Sequence, residues 1–193
     1  MSKNRKTLKK FTKLEWLDDI LRHGLFLADL KCLNDPYEYK SIKNANRYKV
    51  CSLSSSRYSM YMMSHYADGG KGCVVEIERP DAAMEVKYMK ASDIRNLTAS
   101  VSPEAALTMK GTTWSVENEW RLIYDRNDGF GYIDVNGKVF KEVSIKRITF
   151  GSEVTTEEIL KYLDDIKAKK IEIKKLKLSD TKFQYLIDQD FKI

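Results

Sequence analysis

Charged residues recur at every second position in the segment 114–124, WSVENEWRLIY. If residues 116–124 form a β-strand, its two-residue period places Glu117, Glu119 and Arg121 on one face. Two neighbouring carboxylates cost electrostatic energy unless a cation or a ligand hydroxyl compensates them. The pattern therefore predicts either a functional site or a surface ladder of ion pairs, each worth at most about 1 kcal/mol.

Two serines form a second candidate. Ser52 and Ser54 share one face of a strand predicted at residues 48–54. Neither a Gly-x-Ser-x-Gly nor a Ser-x-x-Lys motif surrounds them, and no basic residue is spaced as a hydrolase partner. Serines at strand ends commonly satisfy turns. The sequence therefore does not support a serine nucleophile.

A group of rings surrounds one of the two histidines. His65 lies near the end of a short helix predicted at residues 58–66, beside Tyr58, Tyr61 and Tyr66. These rings could stack on a planar ligand or pack as the edge of a core, and both interpretations stay open. With two histidines and three scattered cysteines that form no CxxC pair, we predict no metal site.

The elements that must position these residues follow from hydrophobic periodicity and turn signals. Strands are predicted at residues 25–27, 48–54, 72–77, 84–89, 116–124, 132–135, 137–140, 144–150 and 171–178. Helices are predicted at residues 13–23 and 58–66, after the N-cap Ser102, and after the capping box Thr155-x-x-Glu158, and an ordered loop at residues 34–37. Strands and helices are grouped rather than strictly alternating. This predicts an α+β fold with a mixed, mostly antiparallel sheet and a few short helices.

Composition indicates one intracellular domain. The 193 residues fit a single domain, 1–193, with a flexible basic N-terminus at residues 1–7. The longest apolar runs are far shorter than the roughly 20 residues of a membrane helix. The basic N-terminus lacks the unbroken apolar stretch of a signal peptide. We therefore predict a cytoplasmic protein with no membrane association and no disulfides.

The formal charge of +6 is concentrated in two stretches. The first 13 residues contain six lysines and arginines and no acid, and residues 161–177 contain seven lysines against three acids. Such clusters attract nucleic acid or another polyanion by counterion release. They are equally typical of a solvated surface that keeps a small protein soluble.

Four blocks of the sequence resemble the bacterial and phage family known as domain of unknown function 2971. They are a Lys-aromatic strand and helix at residues 8–27, LNDPYE at 33–38, MSHYADGGKG at 63–72, and Lys110 with WSVENEWRLI at 114–123. The resemblance covers positions 8–150. The name of the family implies no chemistry.

A more distant resemblance does imply chemistry. The order of a basic strand, a helix, a Ser-x-Ser strand and a late Glu-x-Glu strand is similar to that of the Arg-Ser-Glu class of ADP-ribosyltransferases. The resemblance implies that Glu119 engages the nicotinamide-ribose hydroxyl of NAD and stabilises an oxocarbenium-like transition state. It implies that Glu117 orients or deprotonates the acceptor.

The same resemblance implies how NAD would be bound. Ser52 and Ser54 would support the nicotinamide pocket, and Lys9 or Lys10 would stand where the class places an arginine on the NAD phosphates. Lysine lacks the two-point phosphate geometry of arginine. The residues expected to contact NAD are Lys9, Lys10, Ser52, Ser54, His65, Tyr66, Trp114 and Arg121.

The leading functional hypothesis is an ADP-ribosyltransferase-like enzyme that uses NAD as a substrate, needs no metal and modifies a macromolecular acceptor, a protein or a nucleic acid, in a phage-conflict or toxin setting. One alternative is a non-catalytic module that binds nucleic acid through its basic ends. Another is a hydrolase or nuclease that uses Glu117, Glu119 and Asp35 around a divalent ion.

Overall fold

The computed structural model describes residues 7–35, 42–98 and 101–193. The described chain is α+β, with short helices and mostly antiparallel strand pairing, as the sequence predicts. It forms two compact units, each assembled from separate stretches of the sequence. The first unit contains the described residues up to Arg22 together with Ser54–Arg79 and Val143–Ile193, and the second contains His23–Leu53 and Pro80–Glu142.

The bounds of the elements are as follows. The strands are β1 Thr7–Thr12, β2 Leu25–Asp29, β3 Tyr48–Ser54, β4 Cys73–Glu78, β5 Met84–Glu85, β6 Lys87–Met89, β7 Met109–Gly111, β8 Glu119–Asp125, β9 Ile133–Val135, β10 Lys138–Lys141, β11 Ile145–Phe150, β12 Glu172–Leu178 and β13 Tyr185–Ile187. The α-helices are α1 Leu17–His23, α2 Met60–Tyr66, α3 Ala91–Thr98, α4 Pro103–Ala106, α5 Thr156–Leu160 and α6 Leu163–Ala168.

In the first unit the strand order is β13-β12-β11-β4-β1. Strands β11 and β12 are parallel, and α5 and α6 lie between them in the sequence, whereas β1–β4, β4–β11 and β12–β13 are antiparallel pairs. Helix α2 places Met62 and Met63 in a buried cluster with Phe11, Val74 and Leu176 from the strands. Burial of these side chains, at roughly 25 cal/mol per Å² of apolar surface, is what holds the helix on the sheet.

A row of alternating charges crosses four strands of the first unit. Lys9 on β1 lies opposite Glu76 on β4, which lies opposite Arg147 on β11, which lies opposite Glu172 on β12. The Nε atom of Arg147 is 2.7 Å from a carboxylate oxygen of Glu172, while the Glu76 carboxylate is 3.5 Å from Arg147 and 4.0 Å from Lys9. Opposite charges that face each other across strands stabilise the register of a sheet.

In the second unit a connected run of strands follows the order β9-β10-β2-β3-β8-β5, and β6 and β7 form a separate parallel pair. Strands β9 and β10 form the hairpin that the sequence predicts. At its turn Asn136 and Gly137 have φ angles of 52° and 79°. Positive φ at both central residues is the geometry for which an Asn-Gly pair is favoured.

Strand β8, which carries the Glu-x-Glu segment's second glutamate, pairs with β3 on one side and β5 on the other, so it lies in the interior of this run of strands.

Two predicted helix starts are confirmed. The Ser102 hydroxyl accepts a hydrogen bond from the amide of Ala105, and proline follows Ser102 in the first turn of α4. At the start of α5 the Thr155 hydroxyl accepts from the amide of Glu158, whose carboxylate accepts from the amide of Thr155. These contacts satisfy amides that a helix cannot pair internally.

The prediction that residues 116–124 form one strand is wrong at its start. Thr112–Glu117 is a 3₁₀ helix, Asn118 adopts a left-handed conformation with φ of 45°, and β8 begins only at Glu119. Asparagine visits this conformation more readily than other residues with a side chain, because its short polar side chain bonds locally to the backbone. Here the Asn118 amide group donates to the carbonyl of Val116.

The strand predicted at residues 84–89 is divided into β5 and β6. The amide of Val86 donates to the carbonyl of Glu119 at 3.0 Å, whereas the amide of Lys87 donates to the carbonyl of Thr108 at 2.8 Å. The chain therefore leaves β8 and joins β7 between two consecutive residues. Period-2 patterning does not reveal such an exchange of partners, because both short strands keep the same alternation.

Two predictions fall wholly or partly outside the described residues. Of residues 1–7, predicted to be a flexible N-terminus, only Thr7, the first residue of β1, is described. Of residues 34–37, predicted to be an ordered loop, Asn34 and Asp35 are described. In the described ranges, no helix combines the length and the apolar character needed to cross a membrane.

Candidate functional site

A cluster of four charged side chains lies inside the second unit. Strand β8 carries Glu119 and Arg121, β7 carries Lys110, and Glu117 ends the 3₁₀ helix that precedes β8. All four residues are buried, with exposed fractions of 1% to 5%. Glu119 and Arg121 share one face of β8 because residues two apart on a strand point the same way.

Glu119 lies at the centre of this cluster. One carboxylate oxygen is 2.8 Å from the Nε of Arg121, and the other is 3.0 Å from both the Nη2 of Arg121 and the Nζ of Lys110. The hydroxyl of Ser52, on the neighbouring strand β3, also donates to this carboxylate. The backbone amide of Glu119 donates to the hydroxyl of Tyr88 at 2.7 Å. Glu119 is thus fixed through both its side chain and its backbone.

Lys110 links the two glutamates. Its Nζ is 2.7 Å from the Oε2 of Glu117 and 3.0 Å from the Oε2 of Glu119, and it lies 4.7 Å from the ring centre of Trp114. Sequence reasoning did not place Lys110 in the site. Strand periodicity does not indicate which residue of another strand faces a carboxylate, so it could not identify Lys110. The one signal for this lysine is its place in the last block of the family resemblance.

The charges of the cluster lie beside opposite charges. Each of the four buried ions has at least one opposite charge within 3.0 Å, which offsets part of the cost of removing it from water. Replacing one member leaves an uncompensated charge, which in buried networks typically costs about 3–5 kcal/mol. The predicted surface ladder of ion pairs is therefore wrong in its location, since these side chains lie in the interior of the unit.

Glu119 remains ionised at neutral pH. Burial by itself raises the pKa of a carboxyl group, but the charge and hydrogen bonds of Arg121, the charge of Lys110 and the Ser52 hydroxyl outweigh it, so that the pKa of Glu119 falls from 4.5 to about 2. Burial acts in the same sense on the nearby phenol, and there it is the dominant effect. It raises the pKa of Tyr88 to about 12, with a further contribution from the charge of Glu119.

The structure brings five of the ten predicted site residues into this cluster or against it. Glu117, Glu119 and Arg121 belong to the cluster, while Ser52 and Trp114 contact its members.

The other five predicted residues belong to the first unit: Lys9, Lys10, Ser54, His65 and Tyr66. Lys9 lies opposite Ser54 in the pairing of β1 with β3, and its Nζ is 6.0 Å from the ring centre of Tyr58. The His65 ring stacks on that of Tyr61 with centroids 4.1 Å apart, and one ring nitrogen is 2.9 Å from the Tyr61 carbonyl. Of the predicted rings, Tyr61 and Tyr66 lie beside His65, and Tyr58, Tyr61 and Tyr66 all pack against the buried cluster of the first unit.

Comparisons of the chain with protein-family models, with curated proteins and with solved structures found no match. The resemblances described above therefore stay predictions. Over the described residues, no group of three or more His, Cys, Asp and Glu side chains is arranged to hold a metal ion.

Proposed function

We propose that this protein is an ADP-ribosyltransferase-like enzyme that transfers ADP-ribose from NAD to a macromolecular acceptor, with Glu119 as its central carboxylate. The observation that supports the proposal is the contact between Ser52 and Glu119. It joins through side chains the Ser-x-Ser strand and the Glu-x-Glu segment, two of the segments on which the distant resemblance depends.

The ionised state of Glu119 suits the chemistry. In this reaction the bond between the ribose C1′ and the nicotinamide nitrogen breaks, and nicotinamide leaves with the bonding electron pair. Positive charge develops on the ribose before a nucleophile of the acceptor forms the new bond to C1′ and loses its proton. A fixed anionic carboxylate stabilises such charge. Glu119, whose pKa is about 2, is anionic at neutral pH.

Glu117 is the proposed group that orients the acceptor and receives its proton. Its carboxylate lies 2.7 Å from Lys110 and shares that lysine with Glu119. In this role Lys110 holds the two carboxylates close together and offsets their repulsion. The remaining residues that the distant resemblance assigns to NAD binding are Lys9, Lys10, Ser52, Ser54, His65, Tyr66, Trp114 and Arg121.

The proposal carries a structural requirement. Glu119 is 2% exposed, so the groups that cover it have to move before a ribose hydroxyl can reach its carboxylate. If the two-point pair of Glu119 with Arg121 breaks during this movement, another charge has to compensate each of the two ions. A chain that binds NAD should therefore show a change in the environment of Trp114, whose ring lies over Lys110.

The test is transfer from radiolabelled or etheno-NAD, together with calorimetry of NAD binding. We expect incorporation of label that is lost in Glu119→Gln, and NAD binding that persists in this variant. Glu85→Gln is the matched control, because it makes the same chemical change at an exposed position of the same unit. Absence of NAD binding by the wild-type chain would overturn the proposal.

The burial of the cluster favours a second candidate function. The four charged side chains are 1% to 5% exposed, as expected of residues whose role is to stabilise the second unit. In that case the protein is a non-catalytic binding module. Its partner would be a nucleic acid, attracted by the basic stretches of the sequence. Binding of RNA or DNA that weakens steeply with salt and is unchanged in Glu119→Gln would support this candidate over the enzyme.

A further inference from the structure

The hairpin of β12 and β13 carries one aromatic ring inside the first unit and another outside it. Tyr185 is buried in the cluster that also contains Leu176 of β12. Phe183, two residues earlier, is 101% exposed, so its ring lies outside the core. A single exposed apolar side chain is common on protein surfaces and is not a site by itself. The setting of the ring therefore decides what it can do.

The turn that carries Phe183 is held by its own hydrogen bonds. The Ser179 amide donates to the carbonyl of Gln184 at 3.0 Å, and the Ser179 hydroxyl accepts from the amides of Thr181 and Lys182 at 3.3 Å and 3.2 Å. The side chain of Phe183 takes part in none of these bonds, so it can be replaced without unfolding the turn. An ordered turn fixes the direction of the ring before a ligand arrives, which lowers the entropic cost of binding.

Lysines outnumber acids along the chain that leads to this turn. Residues 167–182 contain seven lysines and two acids. Lys174 lies 3.3 Å from an acid of the same strand, and Lys177 lies 3.6 Å from Asp188 and 3.5 Å from Asp190. The other five form no ion pair with any residue that the structure describes: Lys167, Lys169, Lys170, Lys175 and Lys182.

These five lysines are spread along the chain rather than gathered at one point. They lie at the end of α6, in the residues that join it to β12, on β12 itself and in the turn before Phe183. A strand rises about 3.3 Å per residue, so β12 separates the first of these lysines from the turn by roughly 20 Å. The positive charge thus follows a line that ends at an exposed aromatic ring.

We propose that this hairpin binds a single-stranded nucleic acid, with a base stacked on Phe183 and phosphates beside Lys175 and Lys182. Proteins that bind single strands combine a basic track for the backbone with aromatic rings on which the bases stack. The ring requires an unpaired base, because the bases of a duplex are stacked on one another. The inference does not depend on ADP-ribosyl transfer, and it gives the nucleic acid of the second candidate function a place on the first unit.

Fluorescence anisotropy with a labelled oligothymidine tests the role of the ring. We expect Phe183→Ala to bind at least ~5-fold more weakly than the wild-type chain, because a base loses its stacking partner. Phe183→Leu should lose as much, whereas Phe183→Trp should bind within ~2-fold of the wild type, because tryptophan keeps an aromatic face. Phe130→Ala is the matched control, since Phe130 is 93% exposed in the second unit, and it should bind as the wild type does. Equal affinity of Phe183→Ala and the wild type would overturn the proposal.

The salt dependence of binding tests the placement of the phosphates. For single strands, each phosphate contact contributes about 0.7 to the slope of log affinity against log salt concentration. Lys175→Gln and Lys182→Gln should each reduce the slope by about this amount. Lys138→Gln, at an exposed position of the second unit, is the control and should leave the slope unchanged. Slopes for Lys175→Gln and Lys182→Gln equal to that of the control would contradict the basic track.

An anionic lipid surface also attracts lysines and an apolar side chain, so the same variants are sedimented with phosphatidylserine vesicles. Leucine enters lipid as phenylalanine does, but it offers no aromatic face to a base. Loss of oligothymidine binding in Phe183→Leu therefore supports stacking. Vesicle binding that is lost in Phe183→Ala and kept in Phe183→Leu, with oligothymidine binding unaffected by either, would overturn the proposal in favour of a membrane surface.

Failure of this proposal is distinguishable from failure of the functions proposed above. Transfer of label from NAD is read in the wild-type chain and in Glu119→Gln, without reference to the hairpin. Nucleic-acid binding that Phe183→Ala leaves unchanged would overturn the role of the hairpin and leave the second candidate function standing. Absence of oligonucleotide binding by the wild-type chain would overturn both.

Discussion

Glu119 and Arg121 lie two residues apart on strand β8 and form a two-point ion pair, with Nε–Oε1 and Nη2–Oε2 distances of 2.8 Å and 3.0 Å. Neighbours on one face of a strand run side by side, so the planar guanidinium can align both donors with one carboxylate. The remaining arm of the fork, Nη1, donates to the carbonyl of Leu107 at 2.6 Å. Arg121 therefore joins β8 to the chain just before β7 and fixes the orientation of Glu119.

Replacing Arg121 by methionine should destabilise the protein strongly. The variant leaves Glu119 with less cationic compensation and removes a donor from the buried carbonyl of Leu107, so we expect the free energy of unfolding to fall by about 3–5 kcal/mol. Urea denaturation of the full chain measures the loss. Arg126→Met, at an exposed position next to β8, is the control and should change stability by less than about 0.5 kcal/mol. A loss below about 1 kcal/mol in Arg121→Met would contradict the role assigned to the pair.

The stability of the protein should depend on Glu119 in acid. The pKa of Glu119 is lower in the folded protein, about 2, than its ordinary value of 4.5. A lowered folded-state pKa means that the carboxylate contributes stability above the unfolded pKa and loses it as pH falls through the folded pKa. We expect a contribution of about 3 kcal/mol at pH 7 that declines between about pH 4.5 and about pH 2.

The difference in free energy of unfolding between the wild type and Glu119→Gln, measured across this pH range, isolates the contribution of Glu119. The difference should shrink steadily as the pH falls from about 4.5 to about 2. A difference that stays constant through this window would show that the carboxylate has an ordinary pKa in the folded protein.

Local patterns in the sequence were sufficient for the fold class and for several element ends, but not for the composition of the cluster. The Thr155 capping box and the Asn136-Gly137 turn depend on residues a few positions apart, and both are confirmed. The partnership of Lys110 with Glu117 and Glu119 depends on how strands and a 3₁₀ helix meet, which no short-range period encodes. Burial of the charges likewise could not be read from alternation, because an exposed and an interior strand face can show the same pattern.

Coupling between Lys110 and Glu117 should be measurable by a double-mutant cycle. Lys110→Met alone removes a cation that both carboxylates contact, and Glu117→Gln alone removes a carboxylate from Lys110, so each should destabilise the protein. The double variant removes one cation and one anion together and keeps the Glu119–Arg121 pair. We therefore expect its loss of stability to be smaller than the sum of the single losses by about 1–3 kcal/mol.

The control for this cycle is the pair formed by Arg147 and Glu172 in the first unit. Its two side chains are 33% and 44% exposed, although the Nε–Oε2 distance is also 2.7 Å. Exposed pairs of this kind contribute at most about 1 kcal/mol. A coupling between Lys110 and Glu117 no larger than that of the control pair would show that burial does not strengthen the contact.

Two glycines of the second unit should respond very differently to alanine. Gly24 has a φ of 92°, and a Cβ there would overlap the carbonyl oxygen of Lys141 and crowd the backbone of Glu142. Gly137 has a φ of 79°, but a Cβ there would meet no atom within 4 Å. Both substitutions place a side chain in the left-handed region at a cost of about 1–2 kcal/mol, and only Gly24→Ala adds a clash with backbone that cannot rotate away. We expect Gly137→Ala to lose about 1–2 kcal/mol and Gly24→Ala about 4 kcal/mol or more by urea denaturation. Equal losses would mean that the approach of Lys141 to Gly24, which accompanies the pairing of β10 with β2, relaxes at little cost.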